Sequence, residues 1–198
     1  MVSNAEHGEL TLAQRTLGDP GEPQNFDLIQ VEVLQAQPVP GQPENWLVGR
    51  RPWKLLERPA PAEFHPMFAK HLQREHLIFG SASDRLAAST FQSRPPASSL
   101  ALLKPQATHF EHQIIGSKKR VRGLFKLGQN SFNLSITDPP FEQNLKCLPA
   151  GRYAPATLEI PDKNRLFFCA SLGEPFEDGN CYKLVAGVLL LPQNWPDI

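Results

Sequence analysis

From Lys118 to Asp138 the chain reads KKRVRGLFKLGQNSFNLSITD, with apolar and polar residues alternating on both sides of a Gly-Gln-Asn break. A period of two is the pattern of a β-hairpin with one buried face. On the first strand Val121, Gly123, Phe125 and Leu127 share one side, and Arg120, Arg122 and Lys126 share the other. Phe125 and Phe132 fall in the apolar row and are expected in the core. Further strands are expected at Leu100–Lys104, Thr108–Ile115, Arg165–Leu172 and Cys181–Leu191. The less regular stretch Pro139–Pro161 holds a short helix at Phe141–Leu148. Five or so strands with an insertion before the last two fit a small barrel of OB type.

The first half is less regular. Phe26–Leu34 alternates as a strand, Trp46–Val48 is a short one, and Trp53–Glu57 is a strand or a helical turn. Phe64, Met67, Phe68 and Leu72 are spaced by three, one and four, which predicts a helix between Pro61 and Gln73. Ala82–Thr90 reads as a second short helix started by Ser83 or Asp84. Prolines 38, 40, 43, 52, 59, 61, 66, 95 and 96 forbid long regular elements here. The sequence SRPPASS, residues 93–99, is the natural linker. The resulting division is a first module at 1–92 with a helical insertion, a linker, and a second module at 100–198.

Composition narrows the function. Of 198 residues, 20 are Lys or Arg and 20 are Asp or Glu, so net charge gives no argument for a general polyanion binder. Any nucleic-acid contact must come from a local patch. Cys147, Cys169 and Cys181 are odd in number and lack zinc spacing, which predicts reduced thiols. There is no apolar run of about 18 residues, and MVSNAEHGEL lacks the apolar segment of a signal peptide. A cytoplasmic protein without membrane contact is expected.

Three segments carry a family resemblance: FDLIQVEVL followed by QPENW at Gln42–Trp46, KRVRGLFKLGQNSFNLSITDP, and above all SLGEPFEDGNCYKLVAGVL from Ser171 to Leu189. In this order, over Phe26 to Leu191, they resemble the bacterial dual OB-containing domain family. The resemblance implies a mainly β chain with short helices, built as two tandem OB-like small barrels. It also implies nucleic-acid binding, in a bacterial defence or conflict setting. One departure stands out: the family opens with a strand-rich segment ahead of the position of Asp27, and here only about 25 polar residues precede it. The first module is therefore expected to be incomplete.

The basic residues Lys118, Lys119, Arg120, Arg122 and Lys126 are the candidate contacts to phosphates of single-stranded DNA or RNA. Their structural alternative is a solvated edge protected by positive charge. Exposed aromatics are scarce beside them, and Tyr153, next to Arg152, is the nearest stacking partner. SLGEPF, Ser171–Phe176, reads as the connection between the last two strands, with Glu174 able to hold a cation or a partner's lysine. No Gly-x-Ser-x-Gly elbow surrounds Ser171, and Glu174 lacks a second acid for acid–base work. His65, His71 and His76 are spaced by six and five, unlike a metalloprotease helix, and His109 with Glu111 is one ligand pair short of a zinc site. In QPENW, Asn45 closes a turn and Trp46 anchors it on the core. Trp53 is expected to pack, and Trp195 to meet a partner. The expectation is a non-catalytic nucleic-acid-binding protein with no cofactor and no metal. A protein-interaction module is the alternative.

Overall fold

Prolines set the architecture of the first half. The computed structural model describes residues 1–4, 8, 10–17, 21, 23–160 and 165–191. A one-turn helix, α1 (Leu12–Arg15), is followed by four short strands: β1 (Leu28–Gln30), β2 (Val33–Ala36), β3 (Trp46–Val48) and β4 (Lys54–Glu57). β1 pairs antiparallel with β4, and β2 with β3, giving two separate ribbons. The single strand expected at Phe26–Leu34 is thus two, because each half has a different partner. Pro38, Pro40 and Pro43 lie between β2 and β3, where missing N–H donors limit further pairing to the Gln37 N–H on the Asn45 carbonyl and an isolated Val39–Gln42 bridge. Helix α2 (Pro61–His71) forms where the apolar spacing placed it, and the Glu63 carboxylate accepts from the Ala60 N–H at 2.9 Å. The expected helix at Ala82–Thr90 is instead strand β5 (Arg85–Ala87) followed by a 3-10 turn at Ala88–Gln92.

Alternation governs the rest. Strands β6 (Leu100–Leu103), β7 (Gln106–Ile115), β8 (Lys118–Leu127) and β9 (Asn130–Ile136) lead into helix α3 (Pro139–Lys146). Strands β10 (Gly151–Tyr153), β11 (Leu166–Pro175) and β12 (Asn180–Leu190) follow. They form one sheet in the order β10-β7-β8-β9-β12-β11-β6, and β5 pairs with the start of β12. β9 and β12 pair in parallel, and the long crossover this requires carries α3. β6 runs into β7 through Lys104–Pro105, so one chain segment supplies the strand at one end of the hydrogen-bonded path and the strand next to β10 at the other. The ladder does not close into a ring, yet the sheet curls on itself. Phe168 on β11 lies 6.1 Å from the Phe110 ring on β7 and 5.1 Å from the Phe125 ring on β8. This is the OB-type module the sequence predicted, with its helix ahead of the closing strands.

SLGEPF is not a connection. Ser171–Pro175 belongs to β11, and the turn is Phe176–Gly179, closed by the Gly179 N–H donating to Phe176 at 2.8 Å. Gly179 holds a φ of +75° there, which glycine adopts without strain.

Two contacts lock the outer parts to the sheet. α2 covers β11 and its neighbours from outside, with Phe68 edge-on to Phe167 at 5.1 Å and Phe64, Leu102 and Leu189 packed alongside. QPENW docks the ribbons: Gln42 Nε2 donates to the Leu172 carbonyl at 3.2 Å, and Glu44 accepts from both the N–H and the hydroxyl of Ser99. Asn45 closes this turn by donating to Gln42 Oε1 at 2.7 Å. Trp46, expected on the core, is instead 46% exposed, since β3 turns Leu47 and Val48 inward. Trp53 is buried, and Trp195 lies outside the described residues.

Asp138 serves two elements at once. Its Oδ1 accepts from the Phe141 N–H at 3.1 Å, capping α3, and its Oδ2 accepts from the Val188 N–H on β12 at 2.8 Å. Asp138→Ala is expected to lower unfolding free energy by about 2 kcal/mol, a lost cap plus an unsatisfied strand donor. Asp138→Asn, which keeps one acceptor, should recover about half. Urea midpoints at constant m-value measure both.

Candidate functional site

The outer surface of the curled sheet has a covered side and a bare side. α2 lies over β11, whereas the outward rows of β7, β8 and β9 carry mostly polar and charged residues, with no helix packed over them among the described residues. On β8 the inward row is Val121, Gly123, Phe125 and Leu127, all buried. Lys118, Arg120 and Lys126 are exposed on the other row, with Arg122 half-buried between them. The period of two therefore places four of the five predicted cations on one face.

Cross-strand register widens this row into a surface. Arg122 stands opposite Glu111 on β7, and Glu111 in turn opposite Arg152 on β10. On the other flank Arg122 donates from Nε to Asn133 Oδ1 at 2.5 Å and from Nη1 to Ser135 Oγ at 3.2 Å. Those bonds hold the guanidinium flat against β9. Among the described residues, Lys118, Arg120, Lys126 and Arg152 form no ion pair with an acid. Their charge stays available to solvent.

Two predicted residues point elsewhere. The Lys119 ammonium donates to the Lys146 carbonyl at 3.1 Å, at the C-terminal end of α3 where the helix dipole favours a cation. Tyr153 packs against the main core, and its hydroxyl donates to the Pro149 carbonyl at 2.6 Å. Its ring is thereby tied to the 149–153 turn.

A second group of side chains, which no motif in the sequence marks, borders the same face. β12 pairs with β9 only at Leu184 and Val185, and β5 takes the place beside Tyr182. There Arg85 grips Asp84 at 2.8 and 3.2 Å, donates to the Tyr182 hydroxyl at 3.1 Å, and lies 4.8 Å from the Tyr182 ring centroid. Tyr182 donates to Asp178 at 2.7 Å, and Phe176 meets its ring edge-on at 6.1 Å. Phe176 is 63% exposed. Hydrogen bonds from the Arg85 guanidinium hold Asp84 below the usual carboxylate range, and those from Asn180 and Tyr182 do the same for Asp178. Both acids are ionised at neutral pH.

Behind this cluster β12 breaks its own pattern. Lys183 shares the inward row with Cys181 and Val185 and is 2% exposed. Its ammonium donates to the carbonyls of Ser81 and Ser83 at 2.8 and 2.6 Å and stands 6.0 Å from the Phe132 ring. Burial pushes its pKa down to about 8, against the opposing pull of Asp84. The lysine thus pins the segment that delivers Asp84 and Arg85 to the face.

The remaining candidates do not converge. His109 is exposed on β7, whereas His112 is buried in the inward row with Nδ1 2.9 Å from the Leu148 carbonyl. Among the described residues no three of His, Cys, Asp or Glu gather as a metal set, and the three cysteines are free thiols. A cleft of about 700 Å³ is lined by Leu77, Phe79, Leu86, Phe91 and Leu100, with none of the cations of β8 among its lining. No described helix is long and apolar enough to cross a membrane.

A family model described as a dual OB-containing domain matches residues 1–188, so the match takes in the short segment ahead of Asp27. No curated protein and no solved structure matches the chain.

Proposed function

Since the chain belongs to the dual OB-containing domain family, and OB modules often bind nucleic acids, we propose that it is a cytoplasmic, non-catalytic protein that binds single-stranded DNA or RNA on the outer face of β8 and β9. The observation that carries this reading is the row Lys118, Arg120 and Lys126, exposed and without acid partners on an uncovered sheet face. Arg152 extends the row across β7, and Arg122, already fixed to Asn133 and Ser135, supplies a rigid centre. A phosphate backbone laid along these cations releases counterions, so affinity should fall steeply with salt.

The test is a titration of a labelled oligonucleotide at several salt concentrations. The triple variant Lys118→Ala, Arg120→Ala, Lys126→Ala should reduce the log–log salt slope by about 2, at about 0.7 for each phosphate contact on a single strand. Absence of binding by the wild type at low salt removes the proposal.

One observation favours a second reading as a protein-interaction module. Leu34 and Trp46 are exposed on the β2–β3 ribbon, 60% and 46% respectively, and large aromatics on a surface are frequent anchors for partners. A stable partner recovered after nuclease treatment, and retained by the triple variant, would support it.

A further inference from the structure

We propose that Phe176, Tyr182 and Arg85 form a stacking site for an unpaired nucleobase of the strand whose phosphates lie on the β8 row. The inference rests on the nucleic-acid reading above and assigns the part of the ligand that β12 and β5 receive. Three observations carry it.

The first is an uncovered aromatic. Phe176 sits at the tip of the β11–β12 hairpin, 63% exposed and edge-on to Tyr182. A phenylalanine in that position leaves a π-face open to solvent, and such a face accepts any base.

The second is rigidity. Tyr182 is held by its bond to Asp178 on one side and by the Arg85 guanidinium over its ring on the other. Arg85 is fixed through both oxygens of Asp84, and the Asp84 carbonyl accepts from the Lys183 N–H at 2.9 Å. Such pre-set rings lose little freedom when a base arrives.

The third is the sign of the local charge. Arg85 neutralises Asp84 and Asp178 stands beside Tyr182, so this corner offers a phosphate no unpaired cation, whereas Lys118, Arg120 and Lys126 offer theirs on β8. The neutral part of a nucleotide is what this corner can take. At Leu184, two residues along β12 from Tyr182, Ser135 on β9 separates β12 from Arg122 on β8 by two strand spacings or about 10 Å, so a base at this corner belongs to a nucleotide whose phosphate lies near Arg122. Bases in a duplex are stacked on both faces, so the arrangement selects single strands.

The experiment compares oligothymidylate with an abasic backbone of equal length, on wild type and Phe176→Ala. Phe176→Ala should weaken oligothymidylate binding about 5- to 150-fold, the range of one base–aromatic stack, with the salt slope unchanged. It should leave abasic binding unaltered, and its thermal midpoint should match wild type because the side chain is exposed. Wild-type affinity of Phe176→Ala for oligothymidylate, in a protein whose salt slope still falls in the triple β8 variant, overturns the stacking site while leaving the β8 reading intact. Failure of the wild type to bind either oligonucleotide at low salt overturns both.

Discussion

Phe168→Ala is expected to destabilise the protein by about 3–5 kcal/mol, the range for emptying a buried phenylalanine site. Phe168 is fully buried on β11, where it meets Phe110 and Phe125 on the two strands across the curl, and it pairs in register with Leu103 and Val188. It fills the space that an open, flat sheet would leave to water. Alanine there removes the ring on which both walls close, and the neighbouring side chains, anchored on β7 and β8, have little room to collapse. The measurement is a urea titration followed by circular dichroism. A loss below about 1 kcal/mol would show that the interior does not depend on contact across the curl.

The second large effect is on pH dependence. Lys183 has its folded pKa depressed to about 8 from an ordinary 10.5, chiefly by burial. Below about pH 8 the ammonium is charged in both folded and unfolded chains, and the cost of burying it is fully present. Between about pH 8 and pH 10.5 the folded protein releases the proton while the unfolded chain keeps it, so this group makes stability rise with pH. The whole gain is about 3 kcal/mol at 1.36 kcal/mol for each pKa unit. Cys169, Cys181 and Tyr182 have raised pKa values and act in the opposite sense over the alkaline range. The comparison must therefore be a difference. The wild type should gain on Lys183→Met by about 2–3 kcal/mol between about pH 7 and about pH 10. A pH-independent difference would mean that the buried amine titrates normally.

The sequence revealed elements whose own residues decide them. The β8–β9 hairpin was legible because one buried face imposes a strict period of two, and the same alternation put Arg120, Arg122 and Lys126 on a common side. α2 was legible from the spacing of Phe64, Phe68 and Leu72. Elements decided by distant partners were not. Arg85–Ala87 has no alternation long enough to announce a strand, and it extends only because Asn180–Tyr182 offers a ladder. The diversion of Lys119 to α3 and the tethering of Arg122 to Asn133 depend on neighbours that no local pattern displays. Phe176 and Tyr182 were passed over for a further reason. Placing the turn at SLGEPF rather than at Phe176–Gly179 hid the hairpin tip that exposes the one ring and braces the other.

The pairing of β5 with β12 sets an order of events during synthesis. Leu86 lies beside Cys181, and Ile78 and Phe91 are buried against residues made long after them. As the chain leaves the ribosome, Leu86 and Phe91 lack the cover of Leu172 and Cys181 until β11 and β12 have followed. The nascent protein therefore carries sticky surface from the synthesis of β5 until that of β12, and holdase chaperones that shield such segments should engage it before Asn180 emerges and let go soon after.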